Sequence, residues 1–194
     1  MRWYWIDRFI EFESGRYAKA VKSVSLSEDH LHDHFPGYPV MPKSLIIEGL
    51  AQTGGLLVWE HNRFREKVIL AKLPKVRFYS EALPGDTLVY TATMEAIHDA
   101  GASVRGTSHR DGVLHAEVEF VFAHLNADYQ DKVLFEPMMY RWMLRILRAF
   151  DVGHAADGGP LLESAYEAGD DAPDRAAASE SEQGSIQPSR SRSS

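Results

Sequence analysis

From Pro42 to His61 the chain is apolar around most of a helical circumference, yet it carries Gly49, Ala51, Gly54 and Gly55. Each glycine inside a helix costs about 1 kcal/mol relative to alanine. Such a stretch is not a surface helix, because it has no wide polar face to give to water. The small residues make sense if a sheet approaches the helix closely on several sides. Pro42 marks the start, since its missing N–H would have had no partner in the first turn. The spacing therefore predicts one central helix from Lys43 to about His61.

The rest of the chain reads as strands. Residues 3–13 and 17–26 flank Ser14-Gly15, and residues 27–42 form a loop punctuated by Pro36, Gly37, Pro39 and Pro42. Residues 68–79, 86–97, 102–110 and 113–124 follow, with turns at Pro84-Gly85-Asp86 and Asp111-Gly112. Leu88, Tyr90, Ala92 and Met94 alternate, as do Leu114, Ala116, Val118, Phe120 and Phe122, which is the period of a sheet with one buried face. The order β-β-α-β-β-β-β predicts an α+β domain, a curved antiparallel sheet around one long helix, over residues 1–135. Residues 136–150 read as an amphipathic C-terminal helix, with Met139, Trp142, Met143, Ile146 and Phe150 on one face and Arg141, Arg145 and Arg148 on another. It is expected to pack on the domain or on a partner subunit, with a membrane-surface helix of basic face as the alternative. Residues 151–194, rich in Ala, Ser, Gly and acids, are expected to be a disordered tail.

Composition removes several classes. The 194 residues hold no cysteine, which excludes disulfides, thiolate zinc sites and cysteine nucleophiles and fits a cytoplasmic setting. Of the net charge of −7, residues 1–150 contribute 18 Lys/Arg against 19 Asp/Glu. That part has no broad basic field for nucleic acid. No apolar run reaches about 18 residues, so no membrane span is expected. The start of the chain, MRWYWIDRF, lacks a signal-peptide core, so export is not expected.

Chemistry concentrates between His30 and Gln52. His34 lies in the Pro/Gly-rich loop, and Glu48 lies among Leu45, Ile46, Ile47, Leu50 and Ala51. A carboxyl group in apolar surroundings needs a reason, because unpaired buried carboxylates are costly. An imidazole and a carboxyl sharing a dry pocket make a usable acid/base pair. His34 is the candidate base, neutral and available at neutral pH. Glu48 is the candidate acid, its apolar neighbours favouring the protonated form that donation requires. Gln52, one turn beyond Glu48 on the same face, can position it by hydrogen bonding or can simply pack. The free N–H groups at the helix start, near Lys43 and Ser44, offer a place for negative charge. His30, His32, Asp33 and His34 also crowd together. Asp33 and His34 each arrive one position early for the HxHxDH pattern of metallo-β-lactamase-like hydrolases, and no metal is expected.

The segment His34-Phe35-Pro36-Gly37, Pro39-Val40-Met41-Pro42 and Glu48-Gly49-Leu50-Ala51-Gln52 resembles the signature of the (3R)-hydroxyacyl-acyl-carrier-protein dehydratases of the FabZ/FabA type. Leu83-Pro84-Gly85-Asp86 is similar to that family's later turn, and the resemblance covers about residues 5–125. It implies the hotdog fold and a hydro-lyase that converts (3R)-hydroxyacyl thioesters into trans-2-enoyl thioesters in fatty-acid or related lipid synthesis. It implies His34 and Glu48 as catalytic residues drawn from different subunits of a homodimer, which leaves a trimer of dimers open. The Val40 carbonyl would orient His34. The Lys43 backbone N–H, with Gly37 and Gln52, would serve the oxyanion and substrate. No cofactor is implied beyond the phosphopantetheine arm of an acyl carrier protein. That carrier would meet Arg63, Arg65 and Lys67, or Lys72, Lys75 and Arg77. One position departs: Lys43 stands where the family has glycine, which raises a crowded acyl channel or a strained backbone as consequences. Other hotdog thioester reactions, hydration or hydrolysis, and a non-catalytic acyl-binding role are the alternatives.

Overall fold

A computed structural model describes residues 3–125 and 137–169. Its elements are β1 (Arg8–Glu13), β2 (Tyr17–Ser23), α1 (Asp29–Asp33), α2 (Lys43–His61), β3 (Val68–Phe78), β4 (Thr87–His98), β5 (Gly101–Arg110) and β6 (Val113–His124). Then come α3 (Pro137–Ile146), α4 (Ala149–Val152), β7 (Gly153–His154) and a 3-10 turn over Glu163–Gly169. One seven-stranded sheet has the order β3-β6-β5-β4-β2-β1-β7. All its pairings are antiparallel except the two-residue β1–β7 pair. The sheet wraps α2, which is the hotdog architecture.

Close approach explains the glycines of α2. A Cβ on Gly49 would stand 2.5 Å from the Tyr90 ring and 2.7 Å from the Trp5 carbonyl oxygen. One on Gly54 would meet Val104 at 3.0 Å. The sheet presses on the helix there, and the stability lost in helix propensity is offset by burial of Leu50, Leu57, Leu88, Tyr90 and Phe120. Each such side chain gains roughly 1.5–3 kcal/mol on leaving water. Most of the alternation expected on β4 and β6 is present: Leu88, Tyr90 and Ala92, and then Ala116, Val118, Phe120 and Phe122, are buried, whereas Met94 and Leu114 are half-buried.

Three sequence expectations change. Residues 29–33, read as loop, form the short helix α1, whose only buried residue is Leu31. Residues 3–7 lead into β1 outside the regular ladder, because Gln52 holds the backbone of Trp3 and Trp5 against α2. The C-terminal helix buries Tyr140 and Leu144, with Leu147 buried in the turn after it; of the face drawn through Met139, Trp142, Met143, Ile146 and Phe150, Met143 and Phe150 pack partly buried against the core. Met139 and Ile146 are exposed. The helix ends at Ile146, and Arg148 takes a left-handed φ of 62°, so Phe150 belongs to a separate turn.

The expected disordered tail also meets the described residues at 151–169, and there the chain is built into the fold. Gly153 and His154 pair with Phe12 and Glu13, the Phe9 N–H donates to the Leu147 carbonyl, and Arg145 pairs with Glu163. These contacts cover the free edge of β1, which would otherwise expose unpaired backbone groups. Residues 170–194 and Glu136 lie outside the described residues. Among the described residues, no helix is long and apolar enough to cross a membrane.

Candidate active site

The loop before α2 holds His34 in one orientation. Val40 donates its N–H to the His34 carbonyl at 3.0 Å, and Phe35 and Tyr38 exchange backbone hydrogen bonds at 3.0 and 2.9 Å. Gly37 makes that tight turn with φ 80°. The His34 ring stacks on Phe35 with centroids 4.3 Å apart. Its Nδ1 lies 3.0 Å from the Val40 carbonyl oxygen. A carbonyl oxygen only accepts, so Nδ1 carries a proton, and in the neutral ring Nε2 is the nitrogen with the lone pair.

On α2, Gln52 is fully engaged. Its Oε1 accepts the Trp5 N–H, and its Nε2 donates to the Trp3 carbonyl and to Glu48 Oε1, each at 2.9 Å. The two backbone partners fix which side of the amide is nitrogen, so an N–H must face Glu48. Glu48 itself is half-buried in the single chain, less enclosed than the apolar sequence around it suggested. It lines a pocket of about 190 Å³, together with Gln52, Ala51 and Gly55 at one end. Trp59, Val68, Leu70 and Phe122 continue the wall, and Tyr140 and Met143 of α3 complete it. His34 is not part of that lining, and among the described residues no hydrogen bond joins it to Glu48.

The helix start is open. Leu45 and Ile46 make the first bonds, both to the Pro42 carbonyl, which leaves the Lys43 and Ser44 N–H groups ahead of the helical ladder. Lys43 opens α2 and is not among the residues with left-handed backbone, so glycine is not required there. Its ammonium lies 5.5 Å from the centre of the Phe78 ring and takes no part in lining the Glu48 pocket. In the single chain the Lys43 side chain therefore does not crowd the Glu48 pocket.

The three neighbouring histidines do not converge. His30 packs edge-on against Trp5, and His32 Nε2 lies 3.0 Å from the Leu26 carbonyl oxygen. His34 turns to Val40. The turn of α1 separates side chains that an extended loop would have aligned. Among the described residues no group of three or more metal-ligating side chains forms.

Sequence reasoning missed the far wall of the pocket, Trp59 and the pair Tyr140 and Met143. Trp59 was detectable, since it sits eleven positions after Glu48 on the same helical stripe. The α3 residues were not, because only the tertiary fold brings them there. It also missed Glu60, which is 3 % exposed and accepts a hydrogen bond from the Tyr166 hydroxyl. Burial pushes the Glu60 carboxyl above the usual range.

A sheet curled around one helix, with a rigid histidine loop at the helix entrance and a carboxyl group on it, defines a hotdog-fold protein of the acyl-thioester kind. The FabA-like domain family matches residues 3–124, and the chain belongs to that family. Among curated relatives, the 3-hydroxyacyl-[acyl-carrier-protein] dehydratase FabZ of Caldicellulosiruptor saccharolyticus is 35 % identical over 119 residues, 61 % of this chain and 85 % of that protein. The protein of the same name from Thermomicrobium roseum is 39 % identical over 124 residues, 63 % of this chain and 83 % of its own length. A solved Streptococcus mutans protein bound to acetyl CoA shares the fold, with a TM-score of 0.54 at 15 % identity over 65 % of this chain and 94 % of that one.

Proposed function

We propose that this protein dehydrates (3R)-hydroxyacyl thioesters, carried on an acyl carrier protein, to trans-2-enoyl thioesters in fatty-acid or related lipid synthesis, without a cofactor. Membership of the FabA-like family supports the reading, and so do the curated relatives that carry the dehydratase name. The single observation that carries it in the structure is the Val40 carbonyl on His34 Nδ1, which leaves Nε2 as a base of fixed direction.

In this mechanism His34 Nε2 takes the proton from C2 of the substrate. Glu48, aimed by Gln52, gives its proton to the C3 hydroxyl, which leaves as water while C2 and C3 form the double bond. Negative charge growing on the thioester carbonyl oxygen is met by the Lys43 N–H at the positive end of α2. The backbone group does this work, so a lysine side chain is tolerated.

The pair comes together in a homodimer. One chain presents the carboxyl at its own pocket and the imidazole elsewhere. The edge strand β3 supports the same reading. Among the described residues it pairs with β6 alone; it runs for eleven residues and exposes Leu70, Leu73 and Val76. The unpaired backbone along such an edge is a template for another strand. The carrier protein would approach along Lys72, Lys75 and Arg77, on the strand whose end Lys43 touches through Phe78. Arg63 and Arg65 line a separate polar pocket of about 540 Å³ beyond the far end of α2. A cytoplasmic location belongs to the same reading.

The test is turnover of 3-hydroxyacyl, 2-enoyl and saturated acyl thioesters on carrier protein, followed by mass spectrometry. Water should be lost from the first and added to the second, with the third untouched. His34→Ala should lower the rate by about 10²–10⁴-fold, the usual worth of a general base. Release of free acid from the saturated thioester would replace dehydration with hydrolysis.

A further inference from the structure

The pocket that begins at Glu48 is walled at its far end by a helix that the family match does not include. That match stops at residue 124, whereas Tyr140 and Met143 belong to α3, Pro137–Ile146. The polar end of the pocket is Glu48 and Gln52, and its wall then follows α2 through Gly55, Leu56 and Trp59. Eleven residues of helix span about 16 Å. At that distance from the carboxyl, Tyr140 packs on Trp59 with ring centroids 3.5 Å apart, and Met143 lines the pocket beside it. Among the described residues, the polar groups at this far end are the Tyr140 hydroxyl and the Trp59 indole N–H, and the latter is given to the Glu66 carbonyl oxygen, so the space suits hydrocarbon. Its volume of about 190 Å³ is below the roughly 300–1,000 Å³ that encloses a drug-sized ligand.

We infer that α3 is the end-stop of the acyl channel, and that Tyr140 and Met143 set the longest acyl chain the protein accepts. The inference rests on the reading that Glu48 faces an acyl thioester. The position of α3 is firm, because its own packing is independent of the pocket. Leu144 of α3 is buried in the core, and so is Leu147 in the turn just beyond it, whose carbonyl accepts the Phe9 N–H at 2.7 Å. Tyr140 is itself 6 % exposed, whereas Met143 is half-buried and can be changed without opening the core. The physical device is a wall whose depth is set by two side chains on a rigid helix. A chain shorter than the wall gains contact with each methylene, and a longer one has nowhere to go.

The experiment uses the full-length protein and saturated acyl-pantetheine thioesters from four to sixteen carbons (about the range of biological chains), which bind but have no hydroxyl to lose. Titration calorimetry should show affinity rising by up to about fourfold per methylene and then breaking at a fixed length. Met143→Ala should move the break to longer chains, and Met143→Phe to shorter ones. Tyr140→Ala should act in the direction of Met143→Ala if its melting transition shows a folded protein. A break at the same length in the wild type and both Met143 variants overturns the inference, as does the absence of binding by every thioester. Turnover of the matching 3-hydroxyacyl series separates the two readings. A moving break with no dehydration retains the end-stop and sinks the dehydratase; dehydration with an unmoved break sinks the end-stop alone.

Discussion

Helix α2 carries two glutamates twelve residues apart, and the fold treats them in opposite ways. Glu48 is half-buried, faces a pocket, and takes its hydrogen bond from an amide that is itself clamped by the backbone of Trp3 and Trp5. Glu60 is buried, takes a hydroxyl from Tyr166 across 106 residues of sequence, and is held above the usual carboxylate range by desolvation. Both lie in the same apolar helix. The difference is access: one carboxyl can meet a ligand, and the other ties the C-terminal segment to the core. An apolar neighbourhood in sequence therefore identifies a carboxyl that has a task, and the tertiary contacts decide whether the task is chemistry or cohesion.

That contrast is broken most sharply by the two glutamine variants. Glu48→Gln should lower dehydration by about 10²–10⁴-fold while leaving the melting temperature close to wild type. Glu60→Gln should do the reverse in kind, keeping turnover and altering stability; a comparable loss of turnover in both would erase the distinction. Gln52→Ala should cost about 10–100-fold in kcat, the worth of one hydrogen bond to a charged group, and should also lower the melting temperature, because the Trp5 N–H and the Trp3 carbonyl lose their partner. Steady-state kinetics reads the first effect and the melting curve the second.

Tyr166→Phe should destabilise by about 1–3 kcal/mol in urea denaturation, because it strips a buried carboxyl oxygen of its donor. Dehydration by that variant should stay near wild type. The smallest effect is in pH. Glu60 has a raised value in the folded state, so the native protein holds a proton that the unfolded chain has already lost. Stability from this group is present below the ordinary carboxylate value, 4.5, and falls as pH rises from there through the raised one. The difference between wild type and Glu60→Gln, followed by denaturation across that window, should shrink with rising pH. A difference that grows would reverse the assignment.

Much of the fold was legible because its signals are local. The bounds of α2 follow from Pro42 and the change of period after His61, and the four later strands follow from alternation and from Asp111-Gly112. Strand ends fell within one residue of expectation on β3 to β6. The expected stripe of α3 stops short of Phe150 because a left-handed Arg148 follows the helix, and no local pattern announces that break. At the candidate site, the spacing of His34, Val40, Glu48 and Gln52 was readable, since one loop and one helix carry all four. Trp59 was readable in principle from its stripe, whereas Tyr140, Met143 and Tyr166 reach α2 only through chain folded back from beyond residue 136.

By itself the sequence determined that one glycine-bearing apolar helix must be enclosed by a sheet, and that an imidazole and a carboxyl flank its entrance. Those facts follow from short-range sterics, from periodicity and from the cost of leaving apolar surface in water. Only the tertiary structure decided which glutamate faces open space, that the amide of Gln52 points its N–H at Glu48, and where the pocket ends. These are matters of contact between segments distant in the chain, and such contacts are set by packing, which no local pattern encodes.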